Sequence, residues 1–295
     1  MRITAFGESR LAVGEGPIWD IATQRFLAVD IVGQRIWEFD AAGGVTLELP
    51  TPEPIFAVVR DESAHLLVAM GDGIFRVDQR TQAFDRLATI PLPPGTRLND
   101  AKIDPQHSFV TVAADIAMQQ PLGTIDRVAA DGSVQTLADG LVLGNGPCWS
   151  PDGDRFYVAD SIGKQIFAYH YETGAGLSGR RIFADVTELG GMPDGATVDA
   201  AGRLWIALCG AGMIACFEPS GALARTIKMP TAWVSSVMFG GPGLDRMLVT
   251  SLDPSTIGVP RDAECGRLFM IEDLDAVGVA EPRARNFIAH AHVGE

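Results

Sequence analysis

A short apolar pattern recurs along this chain at nearly constant spacing. Strand-like runs begin at six positions, which are Phe26, Leu66, Ser108, Phe156, Leu204 and Met247. Their starts are separated by 40, 42, 48, 48 and 43 residues. A period of about this length is typical of repeat architectures, in which each repeat forms one supersecondary unit and stacks on its neighbours.

Each period has room for four short strands. A first apolar run ends in a hairpin turn rich in Asp, Pro and Gly, as in PCWSPDGDR (147–155), and the recurrent run follows it. In most repeats a third and a fourth apolar run come next, as in RIWEFD (35–40) and VTLELP (45–50). The 3.6-residue periodicity that an α/β fold needs between its strands is missing.

These features predict an all-β chain that forms one domain over residues 1–295. The predicted fold is a six-bladed β-propeller with four-stranded antiparallel blades, because radial repetition leaves only short, protected sheet edges. We expect the last blade to be closed by pairing between the two ends of the chain, RITAF (2–6) and ARNFIAH (284–290).

The charge balance argues against two classes of partner. The chain has 23 Lys and Arg against 37 Asp and Glu, a formal net charge of −14, which is the wrong sign for binding nucleic-acid phosphates. No apolar stretch approaches the roughly 20 residues of a membrane span, and the start lacks a signal peptide. We expect a cytoplasmic protein, monomeric or a small homo-oligomer, that contacts neither nucleic acid nor membrane. Its four cysteines lack C-x-x-C spacing and are expected to be reduced and buried.

One position stands out when the six repeats are aligned on their hairpin turns. It lies at the mouth of each innermost strand and is occupied by Glu15, Phe56, Asn99, Asn145, Asp194 and Ser235. Equivalent positions of innermost strands surround the central channel of a propeller. Two carboxylates and two carboxamides would therefore converge. Neutralising such carboxylates without a nearby Lys or His requires a cation, and hard divalent cations prefer oxygen donors of this kind.

Five segments resemble the SMP-30/gluconolactonase/regucalcin family, in order and over nearly the whole chain. They are GEGPIWD (14–20), RLNDAKIDP (97–105), GNGPCWSPDGDRFYVAD (144–160), PDGATVDAAGRLWIAL (193–208) and FGGPGLDRMLVTS (239–251). The resemblance implies a six-bladed propeller that holds one divalent metal ion near its axis and, in many members, hydrolyses sugar lactones.

The resemblance also implies roles for particular residues. Glu15, Asn145 and Asp194 match the family's metal ligands, and Arg97 and Asn99 match residues that contact substrate, with Asn99 also close to the metal. The implied mechanism is metal-assisted hydrolysis of a cyclic ester by an activated water. Asp194 would accept the proton of that water, and Arg97 would donate to the developing oxyanion or to sugar hydroxyls. Oxygen ligands suit Ca²⁺, Mg²⁺, Mn²⁺ or Zn²⁺ and do not choose among them.

The third repeat departs from the family pattern. Where relatives continue with W-x-G-T-M and an acidic residue that touches sugar hydroxyls, this chain has FVTVAADIAMQQPLGTIDRV (109–128). In this segment, Asp115 is the carboxylate that we predict to contact the substrate. Phe56 is expected to add an apolar wall to the substrate pocket, and Trp233 to line its mouth.

Two other functions stay open at this stage. A related metal-dependent propeller could hydrolyse other esters or phosphotriesters with the same fold and metal. A non-catalytic calcium-binding propeller could use the ring for binding alone, because a fold does not specify a reaction.

Overall fold

The computed structural model describes residues 1–172, 174 and 176–287 and is built almost entirely of strands. Within these residues, six antiparallel sheets of four strands each surround a central channel. This arrangement confirms the predicted six-bladed β-propeller. In the same part of the chain, no helix has the length and apolar composition of a membrane span.

Five blades use four consecutive strands, numbered outward from the channel. Blade one consists of β2 (Gly14–Asp20), β3 (Arg25–Asp30), β4 (Arg35–Phe39) and β5 (Val45–Pro50). Blade two consists of β6 (Ile55–Arg60), β7 (Leu66–Met70), β8 (Gly73–Asp78) and β9 (Ala83–Thr89). Blade three consists of β10 (Thr96–Ile103), β11 (Phe109–Asp115), β12 (Gly123–Val128) and β13 (Val134–Leu141).

The remaining blades continue the pattern until the chain closes on itself. Blade four consists of β14 (Gly144–Trp149), β15 (Arg155–Asp160), β16 (Gln165–Glu172) and β17 (Gly176–Asp185). Blade five consists of β18 (Met192–Val198), β19 (Leu204–Cys209), β20 (Met213–Phe217) and β21 (Leu223–Lys228). Blade six consists of β22 (Val234–Gly240), β23 (Arg246–Ser251), β24 (Arg267–Glu272) and, outermost, β1 (Arg2–Arg10).

The N-terminal strand closes the ring, but its partner differs from the expected one. RITAF pairs with β24, with Ile3 opposite Ile271 and Ala5 opposite Phe269. The predicted pairing with ARNFIAH is therefore wrong. The third strand of blade six leaves one edge free, and β1 fills it, whereas Ala284 donates its amide to the carbonyl of Arg60 in blade two (3.0 Å). Residues 288–290 of that segment lie outside the described residues.

All six innermost strands begin at the same end of the channel, which we call the upper end. The hairpin turn after each innermost strand therefore lies at the lower end, where the segment after β24 crosses several blades. The innermost strands are heavily buried, β6, β14 and β22 along their whole length. The four cysteines, Cys148, Cys209, Cys216 and Cys265, are buried free thiols, as predicted.

Phe6 of β1 carries the contact between the closing strand and blade one. Its ring is 4% exposed and lies edge-on to Phe26, with centroids 5.5 Å apart, and to Phe39, with centroids 6.0 Å apart. An aromatic ring buried between two blades contributes through its apolar area and through these edge contacts. The sixth blade is therefore tied to the first by packing as well as by strand pairing.

We predict that Phe6→Ala lowers the free energy of unfolding by about 3 to 5 kcal/mol, because it leaves a cavity between the last and first blades. Ile182→Ala on the outer strand β17, where the side chain is 53% exposed, is the control and should cost less than about 1 kcal/mol. Urea unfolding of both variants checks this. Equal, small losses would mean that β1 is not docked as described.

Candidate metal centre

The six aligned residues do occupy equivalent places at the upper end of the channel. Each lies near the start of its innermost strand, in β2, β6, β10, β14, β18 or β22. Five of the six are buried, and Asp194 retains some exposure to solvent. The hydroxyl of Ser235 is engaged elsewhere: it donates to the carbonyl of Gly14 (2.5 Å) and contacts the hydroxyl of Thr250 (2.9 Å).

A β-bulge accompanies every one of these positions. The pairing of each innermost strand with its neighbour shifts register at the ring residue or directly after it, in all six blades. Bulges re-aim side chains and bend the strand locally. In blades one and four the bulge is made by Gly16 (φ +51°) and Gly146 (φ +57°), a backbone conformation that favours glycine. The local sequence thus turns the preceding Glu15 and Asn145 into the channel mouth.

A chain of hydrogen bonds connects the amides of the ring. Arg97 donates from Nη1 to Oδ1 of Asn99 (2.6 Å), and Asn99 donates from Nδ2 to Oδ1 of Asn145 (2.7 Å). Asn145 donates in turn to the hydroxyl of Ser161 (2.8 Å), which donates to the carbonyl of Pro193 (2.6 Å). The chain therefore fixes the orientation of both amides, and Oδ1 of Asn145 keeps a second lone pair free for another partner.

The two ring carboxylates lie in an unfavourable electrostatic environment. Burial raises the pKa of Glu15 well above its usual value, and the neighbouring carboxylates of Asp194 and Asp100 raise it further. Burial and the charge of Asp100 likewise raise the pKa of Asp194. The Glu15 and Asp194 carboxylates are therefore close enough to influence each other's pKa. Neighbouring carboxylates in such an environment require a proton or a cation to compensate their charge.

The donor set fits a hard divalent cation. Two carboxylates and the amide oxygen of Asn145 are oxygen donors, the kind that Ca²⁺, Mg²⁺ and Mn²⁺ prefer. Across residues 1–172, 174 and 176–287, no three His, Cys, Asp or Glu side chains form a metal-binding group. Coordination here would thus combine two carboxylates with amide and water oxygens, and a nitrogen- or sulfur-rich site is not available at this ring.

Asp100 and Lys102, two residues outside the predicted site, lie in the channel below the ring. Both residues are buried. Asp100 accepts hydrogen bonds from the amides of Ala101 (2.7 Å) and Gly146 (3.0 Å). Burial raises its pKa to about 6, although the Lys102 ammonium acts in the opposite direction. The alternation of an innermost strand places residues 100 and 102 on one face, and this period-two signal was available in the sequence.

Three further predicted residues surround the mouth. Arg97 lies over the ring of Phe56, with the guanidinium carbon 5.7 Å from the ring centroid, and also donates to the carbonyl of Leu98 (2.9 Å). Phe56 is 5% exposed. Trp233 precedes β22 on an upper linker and is half-buried. Arg97 and Phe56 therefore form one wall next to Asn99.

Asp115 holds a loop in this structure, which differs from the substrate contact predicted for it. Its carboxylate accepts hydrogen bonds from the backbone amides of Ala117 (3.2 Å), Gln119 (2.9 Å) and Gln120 (2.8 Å). Asp30 and Asp160 end the second strands of blades one and four and hold backbone amides in the same way. Asp115 is thus the third-blade copy of a loop-holding residue, and a sugar contact from this carboxylate has no support in the geometry.

Comparisons with known proteins agree with this architecture. Residues 13–253 match the sequence model described as the SMP-30/Gluconolactonase/LRE-like region. An L-arabinolactonase of Azospirillum brasilense is 32% identical over 288 residues, which cover 96% of this chain and 92% of that protein. A pentonolactonase of Haloferax volcanii is 31% identical over 295 residues, covering 96% of this chain and 98% of that protein.

A solved structure shares the same fold. The calcium-binding protein regucalcin from Agrobacterium tumefaciens superposes with a TM-score of 0.86 at 26% identity, covering 95% of this chain and 96% of that one. The family match spans well over half of the chain and includes all six ring positions as well as Asp100 and Lys102. The chain therefore belongs to the SMP-30/gluconolactonase/LRE-like family.

Proposed function

We propose that this protein is a metal-dependent hydrolase that opens a lactone, and that a sugar lactone is its substrate. The observation that carries the proposal is the ring of oxygen donors at the channel mouth, with a positioned guanidinium beside it. The arabinolactonase and pentonolactonase relatives support the reaction class, since both align over almost their whole length.

Glu15, Asn145 and Asp194 would hold the metal ion, with Asn99 next to it. A bound divalent ion such as Ca²⁺, Zn²⁺, Mg²⁺ or Mn²⁺ supplies Lewis acidity to the lactone carbonyl and lowers the pKa of water. The hydrogen-bond chain from Arg97 through Asn99 to Ser161 holds the amide of Asn145 in one orientation. Ligands held in this way need little rearrangement when substrate arrives.

The side chains at the channel mouth have separate roles in the proposed hydrolysis. Asp194, the most exposed of the ring carboxylates, accepts a proton from the attacking water as the new bond forms at the carbonyl carbon. The acyl C–O bond of the ring then breaks, and the departing ring oxygen takes up that proton. Arg97 donates to the oxygen on which negative charge develops, or to a hydroxyl of the sugar. Phe56 covers one face of the lactone ring, and Trp233 lines the entrance.

Acid release from a panel of lactones is the experiment that tests this function. Chelator-treated protein is assayed with a pH indicator against pentono- and hexonolactones, simple aliphatic lactones and a phosphotriester, with and without each of the four divalent metals. We expect hydrolysis of sugar lactones that depends on added metal. Turnover of the phosphotriester alone would favour the other hydrolase class, and metal binding with no turnover would favour a binding protein.

Replacing Asp194 tests its double role. Asp194→Ala removes a ligand and the proton acceptor, so we expect at least a thousandfold loss of kcat and about a hundredfold weaker metal binding. The metal-free variant should unfold no earlier than wild type, because one of the mutually repelling carboxylates is gone. Asp115→Asn, in the loop-holding residue, is the matched control and should leave metal affinity unchanged. Retained activity in Asp194→Ala would remove this residue from the mechanism.

Replacing Arg97 separates substrate handling from metal binding. Arg97→Met should lower kcat/KM about a hundredfold while the metal stays bound, because it removes a transition-state donor and leaves all three proposed metal ligands in place. Arg97→Lys should recover little of this, since an ammonium does not reproduce the planar guanidinium. Metal affinity measured by calorimetry is the second readout. Loss of the metal in Arg97→Met would contradict the assignment.

A further inference from the structure

A second set of charges lies below the ring, buried along the same channel. Lys102 donates from Nζ to the carbonyl of Ala196 in β18 (2.8 Å) and to Oε1 of Glu281 (3.3 Å). The Lys102 side chain is 7% exposed and that of Glu281 16%. Glu281 belongs to the segment after β24, which crosses the lower end of the propeller. The channel thus contains an ion pair assembled from the third blade and the C-terminal segment.

Asp100 connects this ion pair electrostatically to the ring. The charge of Lys102 acts on Asp100, and the charge of Asp100 acts on both Glu15 and Asp194. Asp100 also accepts the amide of Gly146, the residue that follows Asn145 in the fourth-blade bulge (3.0 Å). A change of charge at Lys102 is therefore felt at the ring through a buried path, where screening by solvent and salt is weak.

The charged side chains along this channel have a defined net charge. Four carboxylates and two basic groups have a net charge of −2 when all are ionised, and they are Glu15, Asp100, Asp194, Glu281, Arg97 and Lys102. A divalent cation at the ring neutralises that sum. Buried charges are costly unless they are compensated, so the number and sign of these groups decide which cation the channel accepts.

We propose that Lys102 and Glu281 set the metal affinity of the ring through their charges, without being metal ligands. Lys102 supplies a positive charge that reduces the repulsion among the carboxylates in the metal-free protein and opposes the cation in the metal-bound one. Glu281 offsets part of that charge and anchors it from the C-terminal segment. The inference rests on the proposed function only in assuming that a divalent cation binds at this ring.

Two neutralising substitutions distinguish this role from a structural one, because they have opposite expected signs. Lys102→Met removes the positive charge while keeping the length of the stem, so Ca²⁺ and Mn²⁺ should bind about tenfold more tightly at pH 8.5. The metal-free variant should melt at a lower temperature, and added metal should raise Tm by more than in wild type. Glu281→Gln leaves Lys102 less compensated, so the same metals should bind about threefold more weakly.

The double variant completes the test. Lys102→Met combined with Glu281→Gln restores a net charge of −2, and its metal affinity should return to within about twofold of wild type. If the ion pair only held the fold together, both single variants would bind metal more weakly and the double variant would not recover. That pattern, or unchanged affinity in all three, would overturn the proposal.

The same measurements keep this inference separate from the proposed function. Calorimetric titration of wild-type protein with Ca²⁺ and Mn²⁺ is performed beside the lactone assay. Metal binding with no lactone hydrolysis would refute the proposed function, and the signs of the three variants would still decide the role of Lys102 and Glu281. Absence of any metal binding by wild type would overturn the inference directly.

Discussion

The bulge at the mouth of every innermost strand is the constraint on which the site depends. In a regular strand, successive side chains point to opposite faces of the sheet, so alternation alone does not turn the residue at a chosen level into the channel. The register shift repeats in all six blades, so the side chains at this level are turned by the same local geometry. Glycine at positive φ makes that turn inexpensive in blades one and four.

The electrostatics of the channel follow from what the bulges bring together. Glu15 and Asp194 meet near the axis with Asp100 just below, and their mutual repulsion in a buried site is what a bound cation would relieve. The amides of Asn99 and Asn145 are held by a continuous hydrogen-bond chain that starts at a guanidinium. Fixed amide oxygens and uncompensated carboxylates together make a site whose preference is for a hard cation.

Much of the fold was predictable from the sequence, because the repeat is strong and each blade is locally determined. The six recurrent runs all became second strands, and the six ring positions all lie at one level. The strand pairing that closes the ring was not predictable, because both terminal segments have an apolar pattern. Only the structure shows that β1 pairs with the free edge of β24. Asp115 was assigned to the substrate because it is a carboxylate of the segment that departs from the family pattern, whereas its repeat equivalents Asp30 and Asp160 indicate a loop-holding role.

Asp100 and Lys102 were missed for a related reason. Asp100 and Lys102 lie one and three positions after the ring residue Asn99, outside the level that the repeat alignment selects, and the role of a buried Lys in a channel becomes clear only when its partner is known. That partner, Glu281, is nearly 180 positions away in sequence, and only the path of the C-terminal segment across the lower end reveals the contact. Long-range contacts of this kind leave no local signature.

The central claim is that the upper end of the channel binds a divalent cation through Glu15, Asn145 and Asp194. Anomalous X-ray diffraction from crystals loaded with Mn²⁺ tests it most directly, because the signal locates the metal independently of any assay. The account predicts a single dominant peak at the ring, with carboxylate oxygens of Glu15 and Asp194 and the amide oxygen of Asn145 as its nearest protein atoms. A dominant peak elsewhere, or none at the ring at saturating Mn²⁺, would contradict it.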